Sequence, residues 1–366
     1  MNHKREESGL QILAKGNIHC INKSEYIVKS QSNPKKEYKV EWLKNHWQCS
    51  CPDFQQRKKK CKHIYAIIYT QTVEDIRSGL NNYKNQNLCP ICKTNEQVIK
   101  RGKRNNQSGS VQLYFCKKCN QRFTGRPGFQ KMKHNALIIS AGLDLYFKGL
   151  SLRAIQEHLQ ITYKEHVSHV TVYNWLKRYV SIISKYVDKL NVSSTRWNID
   201  ETIINVKGRH MRVWNVIDAD TRFLICCHIS TNRNAQDAGD TIIKARKKCK
   251  NTPWEITTDG LESYNHAIKN RLKPTIENPI VHLQGPLKMA LNNKIERFNG
   301  TIKNRTKTMG CFQNKNTLQN FIDGFTIYYN YIRPNIGIEK KTPAESIGIS
   351  NKKKSWLDLI FKSNNP

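Results

Sequence analysis

Residues 136–147, ALIISAGLDLYF, carry apolar side chains at helical spacing, and Gly149 ends the run. SLRAIQEHLQI follows, with Ser151 placed to cap a second helix and Leu152, Ile155 and Leu159 on one face. A third helix is predicted from Ser168 through SHVTVYNWLKRYVSII. Val172, Trp175, Leu176 and Tyr179 form its apolar stripe, and Thr171, Asn174, Lys177 and Arg178 fall outside it. From Trp197 the period changes. WNIDETIINV, HMRVWNVID and FLICCHIS read as three strands, separated by VKGR and by the turn residues Asp220 and Thr221. Short turns make them an antiparallel meander. NAQDAGDTIIKARKKCK then predicts a helix with a basic last turn. WEITT is a fourth strand, ending at Asp259-Gly260 before another helix, and IVHLQ (280–284) is a fifth. KMALNNKIERFNGTIKNRTKTM predicts a long helix. Strands alternating with helices make this half of the chain an α/β domain.

Charge narrows the function. Lys and Arg number 62 against 28 Asp and Glu, a net charge of +34 over 366 residues. A field of that size draws polyanions, nucleic acid first among them. The segment 136–182 then takes on a meaning beyond a helical hairpin. It has the layout of a helix-turn-helix, with Thr171, Asn174, Lys177 and Arg178 on the face a recognition helix turns to the major groove. No run of about 18 apolar residues is present to span a membrane. The N-terminal MNHKREESGL lacks the apolar stretch of a secretory signal, so a cytoplasmic protein is expected.

Twelve cysteines in such a chain point to metal ligands rather than disulfides. Cys49-x-Cys51 is followed after nine residues by Cys61-x-His63, and two close pairs of soft ligands suit tetrahedral Zn²⁺. Pro52 and the basic run 57–60 read as a loop between the pairs, and IYAIIY after His63 as a helix. Cys89-x2-Cys92 and Cys116-x2-Cys119, separated by 23 residues, form a second set of paired knuckles. Two short strands around a Gly/Ser/Asn turn lie between them, the layout of a zinc ribbon. Lys117, Lys118, Arg122 and Arg126 add positive charge suited to phosphate at the second knuckle. Cys20, Cys226, Cys227, Cys249 and Cys311 have no ligand spacing. The first cluster resembles the SWIM zinc finger, C-x-C-x(n)-C-x-H, over roughly residues 25–72.

In so basic a chain the placement of acids is informative. Asp200 and Glu201 sit together in an apolar strand, and Asp259 follows the fourth strand, where α/β sheets hold their ligands. Glu296 is the only carboxylate between Lys288 and Lys315, on a helix face shared with Asn292 and Lys303. A lone acid there is out of place unless a cation holds it. Neighbours in a strand point to opposite faces, so Asp200 goes with Asn198, Thr202 and Ile204, and Glu201 with Trp197, Ile199 and Ile203. Both cannot reach one metal pair without a bulge, and Glu201 on the more apolar face needs a cationic partner.

Taken in order, NIDET, TTDGLESY, NNKIERFNGTIKNRTKTM and YYNYIRPNIGIEKKTPAESIGI resemble the DDE transposases of prokaryotic insertion sequences over roughly residues 195–348. Thirty-six residues separate Asp259 from Glu296, and Lys303 follows Glu296 by seven, as in that family's E-x6-K arrangement. Asn335 stands after Arg333-Pro334 where many relatives carry His. The resemblance implies an RNase H-like mixed five-stranded sheet in which Asp200, Asp259 and Glu296 are catalytic and hold two Mg²⁺ or Mn²⁺ ions. It implies strand cleavage and strand transfer by two-metal phosphoryl transfer, with Lys303 on the DNA backbone. Double-stranded DNA, both element ends and target, is the implied partner, and synapsis implies a homodimer or higher assembly. The organisation expected is a SWIM-like finger at 1–75, a zinc ribbon at 85–130, a helix-turn-helix region at 131–190, the catalytic domain at 195–350 and a basic tail at 351–366. Two alternatives remain: a non-catalytic DNA-binding regulator derived from a transposase, and a serine or tyrosine recombinase, for which no Arg/His constellation surrounds the tyrosines.

Overall fold

The computed structural model describes residues 2–22, 24–33, 35–43, 46–71, 89–92, 94–106, 109–124, 129, 132–285, 292–309, 311–350 and 354–364. Arg126, the start of the long helix before 292 and the expected boundary between 75 and 85 lie outside them. The chain forms two compact units, Met1–Leu176 with Ser355–Asn365, and Lys177–Lys354.

The first unit begins with α1 (Asn2–Ala14) and an antiparallel sheet of β1 (Ile18–Asn22), β2 (Glu25–Lys29), β3 (Glu37–Leu43) and β4 (His46–Cys49). Ile12, Tyr26, Val28, Val40, Ile64 and Ile67 pack into one core with Cys49, Cys51 and Cys61. The interval between the cysteine pairs is not the expected loop. Pro52–Arg57 form a short helix, α2, because Pro52 at its first turn is already in helical geometry and Arg57 reaches back to Asp53 at 2.6 Å. Lys58, left-handed at φ 51°, ends it. A helix, α3 (62–71), carries His63, as the apolar run predicts. The ribbon is a three-stranded antiparallel sheet, β5 (Val98–Asn106), β6 (Gly109–Cys116) and β7 (Gln121–Thr124). Only its first two strands were legible in the sequence.

The three helices form where the apolar spacing predicts, with Gly149 and Ser151 at their expected boundaries and Asn135 adding a further cap. In α4 (Ala136–Lys148) the Asn135 side chain accepts from Leu137 N–H, and Gly149 closes the helix at φ 129°, a conformation that L side chains resist. In α5 (Leu152–Tyr163) Ser151 accepts from Ala154 N–H. Ser168 accepts from Thr171 N–H at the start of α6 (His169–Val187). The division between the two units falls inside α6.

The second unit is built on a mixed five-stranded sheet. Its strands are β8 (Arg196–Val206), β9 (Arg209–Asp218), β10 (Leu224–Ser230), β11 (Glu255–Thr258) and β12 (Val281–Gln284), in the order β10-β9-β8-β11-β12. The first three form the predicted meander, turned at Lys207 and Gly208, both with positive φ. β11 and β12 run parallel to β8 and to each other, reached through α7 (Ala235–Lys248) and α8 (Glu262–Leu272). Three antiparallel strands extended by two parallel ones are the RNase H-like arrangement expected. α9 (Asn293–Met309) and α10 (Lys315–Ile327) complete the layers, and the short α11 (Pro343–Ser346) follows them. Trp197, Ile199, Val213, Trp214 and Val216 are fully buried at the sheet's centre.

The chain then returns to the first unit. Where a basic tail is expected, Trp356–Asn364 form a helix, α12, whose Trp356 stacks on Phe147 at 5.3 Å. The apolar spacing of WLDLI outweighs the lysines before it, since Trp356, Leu357, Leu359 and Ile360 are all buried.

Candidate functional site

The central strand β8 presents its two acids to different helices. Asp200 meets α9: Asn299 Nδ2 donates to Asp200 Oδ2 at 2.8 Å, and the Glu201 backbone N–H donates to Oδ1 at 2.9 Å. Asn299 is itself held by Asn215, whose Nδ2 donates to Asn299 Oδ1 at 2.8 Å from the residue opposite Asp200 on β9. Glu201 meets α8: the Tyr264 hydroxyl donates to Glu201 Oε2 at 3.2 Å. Cations close on it too, Arg233 Nε in direct contact and Arg212 Nη1 at 3.8 Å. Strand alternation therefore separates the pair as the pleat requires, and the cationic partner expected for Glu201 is present.

The two carboxylates nonetheless come closer than alternation implies. One oxygen each from Asp200, Glu201 and Asp259 lies within 4.8 Å of the others, with no register shift in β8–β9. The two methylenes of a glutamate let its carboxylate leave the face on which its Cβ starts. Asp259 follows β11, where Leu261 N–H donates to its Oδ1 at 3.1 Å and Arg233 Nη2 to its Oδ2 at 3.1 Å. Burial, with Glu201 and Asp259 alongside, pushes the Asp200 carboxyl up to about 7. Oxygen donors alone, crowded and incompletely neutralised, suit a hard divalent cation.

Glu296 is not in that group. It occupies the face of α9 that crosses β8 between two tethers. Asn292, four residues earlier, accepts from Asn198 Nδ2 at 3.1 Å, and Asn299, three residues later, holds Asp200. Among the described residues no ion pair involves Glu296, so neither Lys294 nor Arg297 neutralises it; Lys294 Nζ donates to the Ala219 carbonyl at 2.5 Å instead. Lys303, two turns further along, is exposed.

The sequence pattern does not single out Asn215, Asn299, Arg233 or Tyr264. Asn299 had a signal, since it continues the stripe Asn292-Glu296. Arg233 had none, because it reaches the site from a loop. Asn335 holds its own loop together, accepting from Gly337 N–H at 3.1 Å and from Arg222 Nη1 at 3.2 Å.

On α6, Val172, Trp175, Leu176 and Tyr179 are buried, while Asn174, Lys177 and Arg178 are exposed and Thr171 is half-buried. Lys117, Lys118 and Arg122 are exposed at the ribbon. The two cysteine clusters are assembled as the spacings predict. Ligand atoms of Cys49, Cys51, Cys61 and His63 lie within 4.8 Å of one another, as do those of Cys89, Cys92, Cys116 and Cys119. His63 Nδ1 is 3.7 Å from Cys49 Sγ and 3.9 Å from Cys61 Sγ, and Cys116 Sγ is 3.9 Å from Cys92 Sγ. A tetrahedron with bonds of ~2.3 Å has edges of ~3.8 Å, so both clusters fit zinc. None of the other cysteines joins a ligand group among the described residues.

Residues 194–334 match the DDE domain family and residues 38–71 the SWIM zinc finger. The chain is 29% identical over 209 residues to the Staphylococcus aureus transposase for insertion sequence element IS257 in transposon Tn4003, covering 57% of this chain and 89% of that one. It is also 29% identical over 199 residues to an uncharacterised protein of Methanocaldococcus jannaschii, covering 53% and 86%. Among solved structures, the HTLV-2 integrase catalytic core domain in complex with magnesium aligns with 43% of this chain and 99% of its own, at 14% identity and a TM-score of 0.33. Residues 194–334 thus match the DDE domain family, and the same chain matches the SWIM zinc finger at residues 38–71.

Proposed function

We propose that this protein is an active transposase, cutting DNA at the ends of an insertion sequence and joining the freed ends to target DNA. The observation that carries the reading is the meeting of Asp200 from β8 with Asp259 from the end of β11, inside a domain of the DDE family. Glu296 on α9 is the third carboxylate, and together they hold two Mg²⁺ or Mn²⁺ ions. Ions bound there would lower the pKa of the attacking oxygen and neutralise charge on the departing one. Asn299 fixes Asp200, and the Leu261 N–H and Arg233 fix Asp259, so both carboxylates are set before substrate arrives. Water, or a DNA 3′-hydroxyl, attacks phosphorus in line, and the 3′ oxygen of the cut strand leaves. Water as nucleophile gives nicking; the 3′-hydroxyl gives strand transfer.

The exposed cations of α6 and the ribbon, with Lys303, hold the duplex through phosphates and base edges. Two structural Zn²⁺ ions, one per cluster, fold the small modules. Pairing of two element ends calls for at least a dimer on DNA, in the cytoplasm of a prokaryotic cell. The test is nicking of an element-end duplex in Mn²⁺. Asp259→Asn and Glu296→Gln should each abolish nicking with DNA binding retained. Binding without any nicking by the wild-type chain would favour a non-catalytic regulator. Undiminished cleavage by Glu296→Gln would remove that residue from the site.

A further inference from the structure

Among the described residues, Arg233 is the cation whose side chain touches two members of the carboxylate group. It leaves the chain between β10 and α7, and its guanidinium contacts Glu201 through Nε and Asp259 Oδ2 through Nη2 at 3.1 Å. The two partners are not equivalent. Glu201 is 6% exposed, fixed by Tyr264 and flanked by Arg212, whereas Asp259 is 30% exposed at a strand end. A planar fork with a buried anchor on one side and an open carboxylate on the other has one firm hold and one that can be exchanged.

We infer that Arg233 is a positioning residue that stands in for the divalent cation while the site is empty, and yields its Asp259 arm when the ion binds. The inference rests on the two-metal reading above. Three carboxylates within 4.8 Å repel one another, and a nearby positive charge is needed to keep them together in the metal-free protein. Arg233 supplies that charge. The same contact occupies an Asp259 oxygen and places a positive charge beside an incoming cation, so it opposes loading. Glu201 retains the guanidinium after Asp259 lets go, keeping Arg233 at the rim. This explains why a buried glutamate adjoins a catalytic aspartate without being one of the three family carboxylates.

The experiment is Mn²⁺ titration by electron paramagnetic resonance on the full, zinc-loaded chain without DNA, with β8 hydrogen exchange as the fold readout. Arg233→Gln should bind Mn²⁺ about tenfold more tightly, because one positive charge and one competing contact are gone. In metal-free buffer its β8 amides should exchange faster, and Mn²⁺ should restore them. A purely structural arginine would give the faster exchange without the tighter binding. Glu201→Gln should weaken Mn²⁺ binding by leaving the guanidinium to Asp259 alone. The double variant should match Arg233→Gln, whereas independent electrostatic effects would add. Where Arg233→Gln does not fold, Arg233→Lys keeps the charge without the fork and should also bind more tightly, by less. Unchanged or weaker binding by a folded Arg233 variant overturns the inference. Absence of Mn²⁺ binding by the wild type removes the metal-site reading itself, and this one with it.

Discussion

Asp200→Asn should stabilise the metal-free protein at alkaline pH and leave it nearly unchanged in mild acid. The Asp200 carboxyl titrates at about 7 in the folded chain, against an ordinary value of 3.8, because it is buried beside Glu201 and Asp259. A carboxyl raised in this way opposes folding wherever the unfolded chain would ionise it. The penalty begins as pH rises past about 4 and is complete above about 7. It amounts to roughly 4 kcal/mol at pH 8 and about 1.5 kcal/mol at pH 5. Asparagine removes the penalty but costs a hydrogen bond. The two Asp200 oxygens accept from Asn299 Nδ2 and the Glu201 N–H, and an amide offers one oxygen. Asn299 cannot reverse its own amide without losing its 2.8 Å bond from Asn215. That loss is worth roughly 1–2 kcal/mol. The net expectation is a gain of about 2–3 kcal/mol at pH 8 and about zero at pH 5. Urea unfolding, read at the β8 and β9 peptides by pulsed hydrogen exchange in buffer freed of Mg²⁺ and Mn²⁺ with zinc retained, measures both. Added Mn²⁺ should then stabilise the wild type and not the variant. The same difference at both pH values, or a loss at pH 8, would refute the argument.

Asn299→Ala, which removes the bond to Asp200 and the acceptor of Asn215, should lower Mn²⁺ affinity or nicking by roughly 10–100-fold, with the fold of α9 kept; full activity would show that Asp200 needs no outer support. Elemental analysis should find two zinc ions per chain and one after Cys49→Ser with Cys51→Ser, and a zinc content unaffected by that double change would dissolve the first site. Affinity for duplex DNA should fall with salt at a logarithmic slope of about −5, for six or so neutralised phosphates, and a flat plot would contradict the reading of the charge.

The two cysteine clusters were legible in the sequence because both ligand pairs of each lie close along the chain. Cys49-x-Cys51 and Cys61-x-His63 need only a turn and a helix to meet, so spacing nearly fixes geometry. The helix starts at Ser151 and Ser168 are local for the same reason. The three-stranded meander was legible too, since period-two runs joined by short turns have few other ways to pair. β7, α2 and α12 were not, being short segments whose form depends on what they pack against.

At the carboxylate cluster the division is clear. Sequence alone determined which acids could matter, because carboxylates are rare in a chain of net charge +34 and three stand out, one inside an apolar strand, one at a strand end and one on a helix face. It also determined that Asp200 and Glu201 leave β8 on opposite sides, a consequence of the pleat. Only the tertiary structure decided what each carboxylate touches. Asn299, Asn215, Tyr264 and Arg233 come from four separate elements, and no local period links them to Asp200 or Asp259. The hydrogen bond that fixes Asp200 joins residues 99 positions apart, so it depends on how α9 lies across the sheet, and that placement is set by the burial of the whole core.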